Sequence, residues 1–319
     1  MKVKWKKSVS SIRDLPGGGP QGSSVGLLEY DAQSNDNTSF IPEDDKYKWV
    51  DDLSVLEIIN LITIRISSYN FKQHVASDIG VGQLYIPSDN IKSQEYLDNI
   101  EAWTQRNKMK LNESKTKVMV FNYSNNYQFA TRLHLNNTIL ETVSETHVLG
   151  TILRSDLSWC SNTQYLVQRG YARMTILRNL YQFNIPEEDL VQIYCLYIRS
   201  VLEYNSSVWF SSITEKEKND LERVQKCACR IILKDEYTDY EAALARLNIQ
   251  TLSERRKALA KRFAIKCTKN EQFKNLFPLN NKQHVNLRNP EKYSVNFSRT
   301  LRLCKSSIPA MQRLLNQCK

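Results

Sequence analysis

Lys46-Tyr47-Lys48-Trp49-Val50-Asp51-Asp52-Leu53-Ser54-Val55 is the stretch on which the reading of this chain turns. A short extended run, 46 to 50, leads into two adjacent carboxylates, and an apolar run from Leu53 to Leu61 follows. Neighbouring side chains in a regular strand point to opposite faces, whereas a tight turn lets both converge, so an Asp pair at a hairpin tip is placed to share a cation. Mg2+ takes oxygen ligands and keeps several waters, so a few Asp side chains suffice to hold it. Nucleotidyl transfer uses two such ions about 3.5 to 4 Å apart, stabilising the attacking and leaving oxygens together. The dipeptide alone is common: Asp44-Asp45 in the same chain reads as a solvated loop pair.

The context of the pair narrows its meaning. Upstream lies Leu15-Pro16-Gly17-Gly18-Gly19-Pro20-Gln21-Gly22-Ser23, a Gly-rich turn ending in Pro-Gln-Gly. Downstream come Asn112-Glu113-Ser114-Lys115-Thr116-Lys117 and Val148-Leu149-Gly150-Thr151, the latter running on to Trp159. In this order, over residues 13 to 270, the segments resemble the palm and thumb of the reverse transcriptase encoded by non-LTR (LINE-like) retrotransposons.

That resemblance implies an RNA-directed DNA polymerase, a nucleotidyltransferase of a mobile element, working with Mg2+ on an RNA template and an RNA/DNA hybrid. By resemblance Asp51 and Asp52 are the catalytic, metal-binding pair of the palm and Lys115 stands near the nucleotide phosphates. Gln21 and Gly22 correspond to residues packing against template and incoming nucleotide, and Leu149 and Gly150 to the primer-grip turn. Where the family continues its Gly-rich turn with a long apolar helix, Val25-Gly26-Leu27-Leu28 gives way to Glu29, Asp31, Gln33, Asn35, Asp36 and Asn37, which read as a loop or a degraded helix. Such polymerases also hold their metals with a further Asp on an earlier palm strand and bind template through fingers. Residues 1 to 13 contain no Asp and are too short for both. The expectation is therefore the C-terminal part of a polymerase, truncated and with absent or feeble catalysis. The alternative is a non-catalytic nucleic-acid-binding or interaction module derived from a mobile element.

The fold expected is α+β: a truncated palm with a small antiparallel sheet in residues 1–155, an all-helical thumb-like bundle in 156–270, and a basic, weakly structured tail in 271–319. Residues 91–108 carry Ile91, Leu97, Ile100 and Trp103 on one helical stripe. Residues 117–121 read as a strand, and 132–143 as a hairpin about Asn136-Asn137, since Asn tolerates the positive φ of tight turns. Residues 148–153 would close the sheet. Beyond Trp159 the period becomes 3.6, giving helices over 165–181, 187–204, 215–234 and 251–269. Pro186 before Glu187-Glu188-Asp189, and Thr214 three residues before Glu217, are helix-start signals. Tyr194, Tyr197, Tyr204 and Trp209 are assigned to packing rather than to base stacking. In the tail only 300–315 looks weakly helical.

The net charge of +10 is unevenly spread. Residues 1–155 hold 17 basic and 18 acidic side chains, 156–246 hold 11 and 13, and 247–319 hold 16 and 3. The whole excess sits in the last 73 residues, where it is either a polyanion surface or a solvated basic helix and tail. Arg255, Arg256, Lys257, Lys261, Arg262 and Lys266 recur along one flank of a helix whose other side carries Leu252, Leu259 and Phe263, making that flank the preferred nucleic-acid surface.

Seven scattered cysteines, with no Cys-x-x-Cys, read as reduced thiols of an intracellular protein, nuclear or cytoplasmic. Four histidines without zinc spacing argue against structural zinc. Ser206, Ser207, Ser211 and Ser212 have no nearby His and Asp to activate them. No apolar run approaches the ~18 residues of a membrane span, so no membrane partner is expected.

Overall fold

In the computed structural model, residues 92–107, 111–122, 132–280 and 292–317 are described with their side chains, together with the backbone of short strands elsewhere. These strands are β1 (Lys4–Trp5), β2 (Ser8–Val9), β3 (Lys46–Trp49), β4 (Asp52–Val55), β5 (Gly82–Tyr85) and β7 (Tyr127–Ala130). The chain divides into two units, Met1–Val143 and Ser144–Lys319. The class is α+β, and among the described residues every ladder is two-stranded.

In the first unit, β3 and β4 pair antiparallel with Trp49 opposite Asp52, and β5 pairs parallel with β7. Helix α1 (Lys92–Arg106) buries Tyr96, Ile100, Trp103 and Thr104, the i, i+4, i+7 spacing that brings one stripe onto a neighbour. That neighbour is the hairpin of β8 (His134–Leu135) and β9 (Thr138–Ile139). Asn136 and Asn137 turn it with φ of 47° and 62°, the left-handed pair the sequence predicts. Leu133, Leu135 and Leu140 cluster with Leu97 and Leu111. The Gln94 amide locks helix to hairpin: its Nε2 donates to the His134 carbonyl at 3.1 Å, and its Oε1 accepts from the His134 N–H at 2.9 Å.

The expected small sheet is not assembled as expected. Strand β6 (Lys117–Val118) pairs parallel with β10 (Glu141–Thr142). Residues 148–153 are not one strand, because Leu149 and Gly150, at φ of 47° and 76°, form a two-residue turn. The turn joins β11 (Glu145–Val148) to β12 (Thr151–Arg154) as an antiparallel hairpin in the second unit.

The second unit is helical. Helix α2 (Cys160–Gln182) lies against α6 (Glu215–Leu233), and Leu166, Met174 and Leu177 join Leu221, Val224, Ala228 and Ile232 in its core. Gly170 allows the close approach, since a Cβ there would stand 2.9 Å from both Leu202 Cδ2 and Val224 Cγ1. Between them run α3 (Glu187–Ile193), a π-helical turn (Tyr194–Arg199), α4 (Ser200–Leu202) and α5 (Ser206–Trp209). Pro186 and three acidic residues open α3, as its sequence predicts. The capping box of Thr214 and Glu217 opens α6, and a second one, Thr251 with Glu254, opens α8 (Leu252–Lys269) after the short α7 (Tyr240–Arg246).

The π turn bears on the reading of the tyrosines at Tyr197, which lies within it. A wider turn takes in an extra residue and moves its successors off a 3.6-residue stripe. Tyr194 and Trp209 are fully buried, but Tyr197 and Tyr204 are 42% and 46% exposed. Within the expected weakly structured tail of 271–319, the stretch read as weakly helical, 300–315, forms α9 (Leu301–Cys304) and α10 (Ser307–Asn316), and α10 packs on α8. Phe210, Ala260, Ala264, Cys267, Phe277, Ala310, Met311 and Leu315 make a second core. Buried Gln312 stitches it, donating to the Leu276 carbonyl at 2.8 Å and accepting from the Asn296 N–H at 2.9 Å.

Candidate nucleic-acid interface

The buried stripe of α8 is Leu252, Arg256, Ala260, Ala264 and Cys267. Leu259 is half-buried and Phe263 is 45% exposed, so the apolar side assigned from the sequence is displaced around the helix. Two alanines four residues apart let α10 approach closely, which larger side chains at those positions would prevent. The solvent-facing side then carries Lys257, Arg262 and Lys266 exposed and Lys261 half-buried, joined by Lys269, a residue the sequence reading passed over. Among the described residues none of these five cations is in an ion pair.

Arg255 and Arg256 do not share that freedom. Arg255 is forked onto Glu203, its Nη2 donating to Oε2 at 3.0 Å and its Nε to Oε1, and the carboxylate holds its guanidinium above the usual pKa. Arg256 is 2% exposed, with its guanidinium carbon 5.8 Å from the centre of the Trp209 ring. Burial pushes its pKa down. Arg256 is therefore an inner contact of the helix and not part of the basic flank expected from the sequence, while Arg255 stays partly exposed with its charge committed to Glu203.

Of the residues the resemblance singles out, Gln21, Gly22 and Asp51 lie outside the described residues, and Asp52 is described only as the first backbone position of β4. Among the described residues, no group of three or more His, Cys, Asp or Glu side chains stands together to hold a metal. Lys115 is exposed in a turn organised by Asn112. The Asn112 carbonyl accepts from the Lys115 N–H at 3.1 Å and from the Thr116 N–H at 3.0 Å, and its Oδ1 accepts from Ser114 Oγ at 2.7 Å. Glu113 ties that turn to the neighbouring hairpin, its Oε1 accepting from Asn136 Nδ2 at 2.7 Å. The Lys115 ammonium is thus presented to solvent on a braced loop.

Leu149 and Gly150 form a turn gripped from within the second unit. Tyr204 Oη donates to the Leu149 carbonyl at 2.8 Å, and a Cβ on Gly150 would meet the Tyr204 ring at 3.3 Å. Asn205 Nδ2 reaches Thr151 Oγ1 at 2.8 Å, and the Ile152 N–H donates to buried Asn162 Oδ1 at 3.1 Å.

No protein-family model, no curated protein and no solved structure matches this chain. No helix among the described residues is long and apolar enough to cross a membrane.

Proposed function

We propose that the chain is a nucleic-acid-binding module derived from the reverse transcriptase of a non-LTR retrotransposon, with polymerase activity absent or feeble in the 319-residue polypeptide. The observation that carries the binding reading is the solvent-facing side of α8. Lys257, Lys261, Arg262, Lys266 and Lys269 stand there outside any ion pair among the described residues, Lys257 alone within electrostatic reach of an acid, Glu215, and all lie inside the segment that holds the chain's whole positive excess. Unpaired cations on one rigid helix track phosphates and release counterions, giving affinity that is strong at low salt and independent of sequence. Phe263 on the same helix is 45% exposed and offers an aromatic face of the kind that stacks on unpaired bases.

The ancestry is supported by the serial order of the Pro-Gln-Gly, Asp-Asp and Asn-x-x-Lys-Thr-Lys segments and by a mixed α+β unit followed by a helical one. Asp51 and Asp52 are the proposed Mg2+ ligands, and a two-metal centre needs more carboxylate than this pair supplies.

Two assays test the proposal. Fluorescence anisotropy with single-stranded and duplex oligonucleotides is expected to show binding that falls steeply between low and moderate salt; salt-independent affinity, or none at low salt, overturns it. Primer extension on an RNA template with Mg2+ is expected to give no product. Product that disappears in Asp51→Ala would make the chain a polymerase in its own right.

A further inference from the structure

We propose that a cleft at the amino-terminal ends of α6 and α8 is a binding site for a phosphate oxyanion. The cleft has a volume of about 390 Å3, and Ser211, Glu215, Lys218, Ser253, Arg256 and Lys257 are among the residues that line it. Two of the lining residues each carry a polar atom that is buried without a hydrogen-bond partner, Arg256 Nη1 and Ser211 Oγ. A buried donor left unsatisfied is costly, and more so when it is charged, so a ligand that accepts from both groups gains affinity from each. An oxyanion with several acceptor oxygens can do this in one step.

The charges around the cleft fix the sign of the ligand. Lys218 is committed to Glu215, Nζ to Oε1 at 2.7 Å, which cancels that pair. Arg256 and Lys257 remain, and Lys257, which makes no ion pair among the described residues, adds its charge to that of Lys218 around the single Glu215 carboxylate. The acids that act on Arg256 are Glu203 and Glu222, and each is already engaged. Glu203 holds Arg255, while Glu222 Oε1 accepts from the Tyr240 hydroxyl and from the Leu252 N–H at 3.2 Å. The Arg256 Nη1 donor is therefore left for a ligand. The positive ends of the two helix dipoles are already met by the capping carboxylates of Glu217 and Glu254, so the sign of the ligand rests on the side-chain cations. Hydroxyl, ammonium and guanidinium donors around a partly enclosed, positively charged volume suit a tetrahedral dianion better than a single carboxylate.

The site does not depend on the nucleic-acid reading. It is tested on the full chain by thermal unfolding in inorganic phosphate against chloride at equal ionic strength, since a ligand that binds only the folded state raises the midpoint in proportion to its occupancy. The expected result is a phosphate-specific rise in the wild type, a phosphate affinity about fivefold lower in Lys257→Gln and in Ser211→Ala, and loss of the effect in Arg256→Gln. Lys257 is exposed, so that variant reads the site without disturbing the core. An equal rise in chloride and phosphate, or an undiminished phosphate effect in both Lys257→Gln and Ser211→Ala, overturns the proposal. Competition by a single-stranded oligonucleotide at constant ionic strength names the source of the phosphate. Displacement assigns the site to a backbone phosphate, persistence to a free phosphate ester, and both uphold the site.

Discussion

Arg255 and Glu203, fifty-two positions apart in the chain, form a forked ion pair that joins the first turns of α8 to the segment between α4 and α5. The side chains retain 26% and 11% of their exposure, so the pair sits between a solvated bridge and a buried one. Removing the carboxylate strands a half-desolvated guanidinium. Glu203→Ala is expected to lower unfolding free energy by about 1 to 3 kcal/mol, above the yield of a surface pair and below that of a fully buried one. Urea denaturation of Glu203→Ala, Arg255→Ala and the double variant checks this through the coupling free energy; additive losses would show that the two side chains act independently.

Because Arg255 is spent on Glu203, Arg255→Ala is expected to reduce stability while leaving oligonucleotide affinity nearly unchanged. Lys261→Gln, Arg262→Gln and Lys266→Gln should do the reverse. Each cation withdrawn from a phosphate reduces the slope of log affinity against log salt by roughly 0.9 on duplex DNA. Anisotropy titrations at several salt concentrations on the triple variant check this, and an unchanged slope would remove the outer side of α8 from the interface.

The helices were readable where local chemistry announces them. Thr214 with Glu217, and Pro186 before three acids, open helices that the structure reproduces within a few residues, and Asn136-Asn137 gives the hairpin turn because both residues tolerate positive φ. The basic side of α8 was half readable. Arg256 lies on the same i, i+4 row as Leu252, Ala260 and Ala264, a row written in the sequence but overruled there by the larger Leu259 and Phe263. Its burial depends on Trp209, just as the pairing of Arg255 depends on Glu203, and neither contact leaves a periodic trace. Ser211, which lines the cleft, was likewise unreadable, because an orphaned hydroxyl is defined by what surrounds it. The Asp51-Asp52 reading rests on the sequence, since Asp51 and the Asp52 side chain lie outside the described residues.

The turn at Leu149 and Gly150 is expected to be sensitive to its distant clasp. Tyr204→Phe removes the 2.8 Å bond to the Leu149 carbonyl and should cost about 1 kcal/mol. Gly150→Ala forces a side chain into φ of 76° and against the Tyr204 ring, so about 1 to 3 kcal/mol is expected. Chemical denaturation midpoints measure both. A neutral Gly150→Ala would mean that neither the backbone angle nor the ring constrains the turn.

Acid should act on this same hairpin through Asp156. Arg154 is bonded to it, Nε to Oδ1 at 3.1 Å and Nη2 to Oδ2 at 3.2 Å, and the Ser158 N–H donates to Oδ1 at 2.9 Å. The guanidinium, first among these causes, holds the carboxyl well below its ordinary value of 3.8. A depressed native pKa stabilises the fold at every pH above the unfolded value and loses that contribution as pH falls toward the native one. Solvent around the half-exposed pair keeps the effect small. Wild type is therefore expected to exceed Asp156→Asn in denaturation midpoint by the same margin from pH 7 down to pH 5, with the margin shrinking below about pH 4. Midpoints measured across that range decide it: a margin that grows on acidification would reverse the sign and remove the Arg154 pairing as its cause.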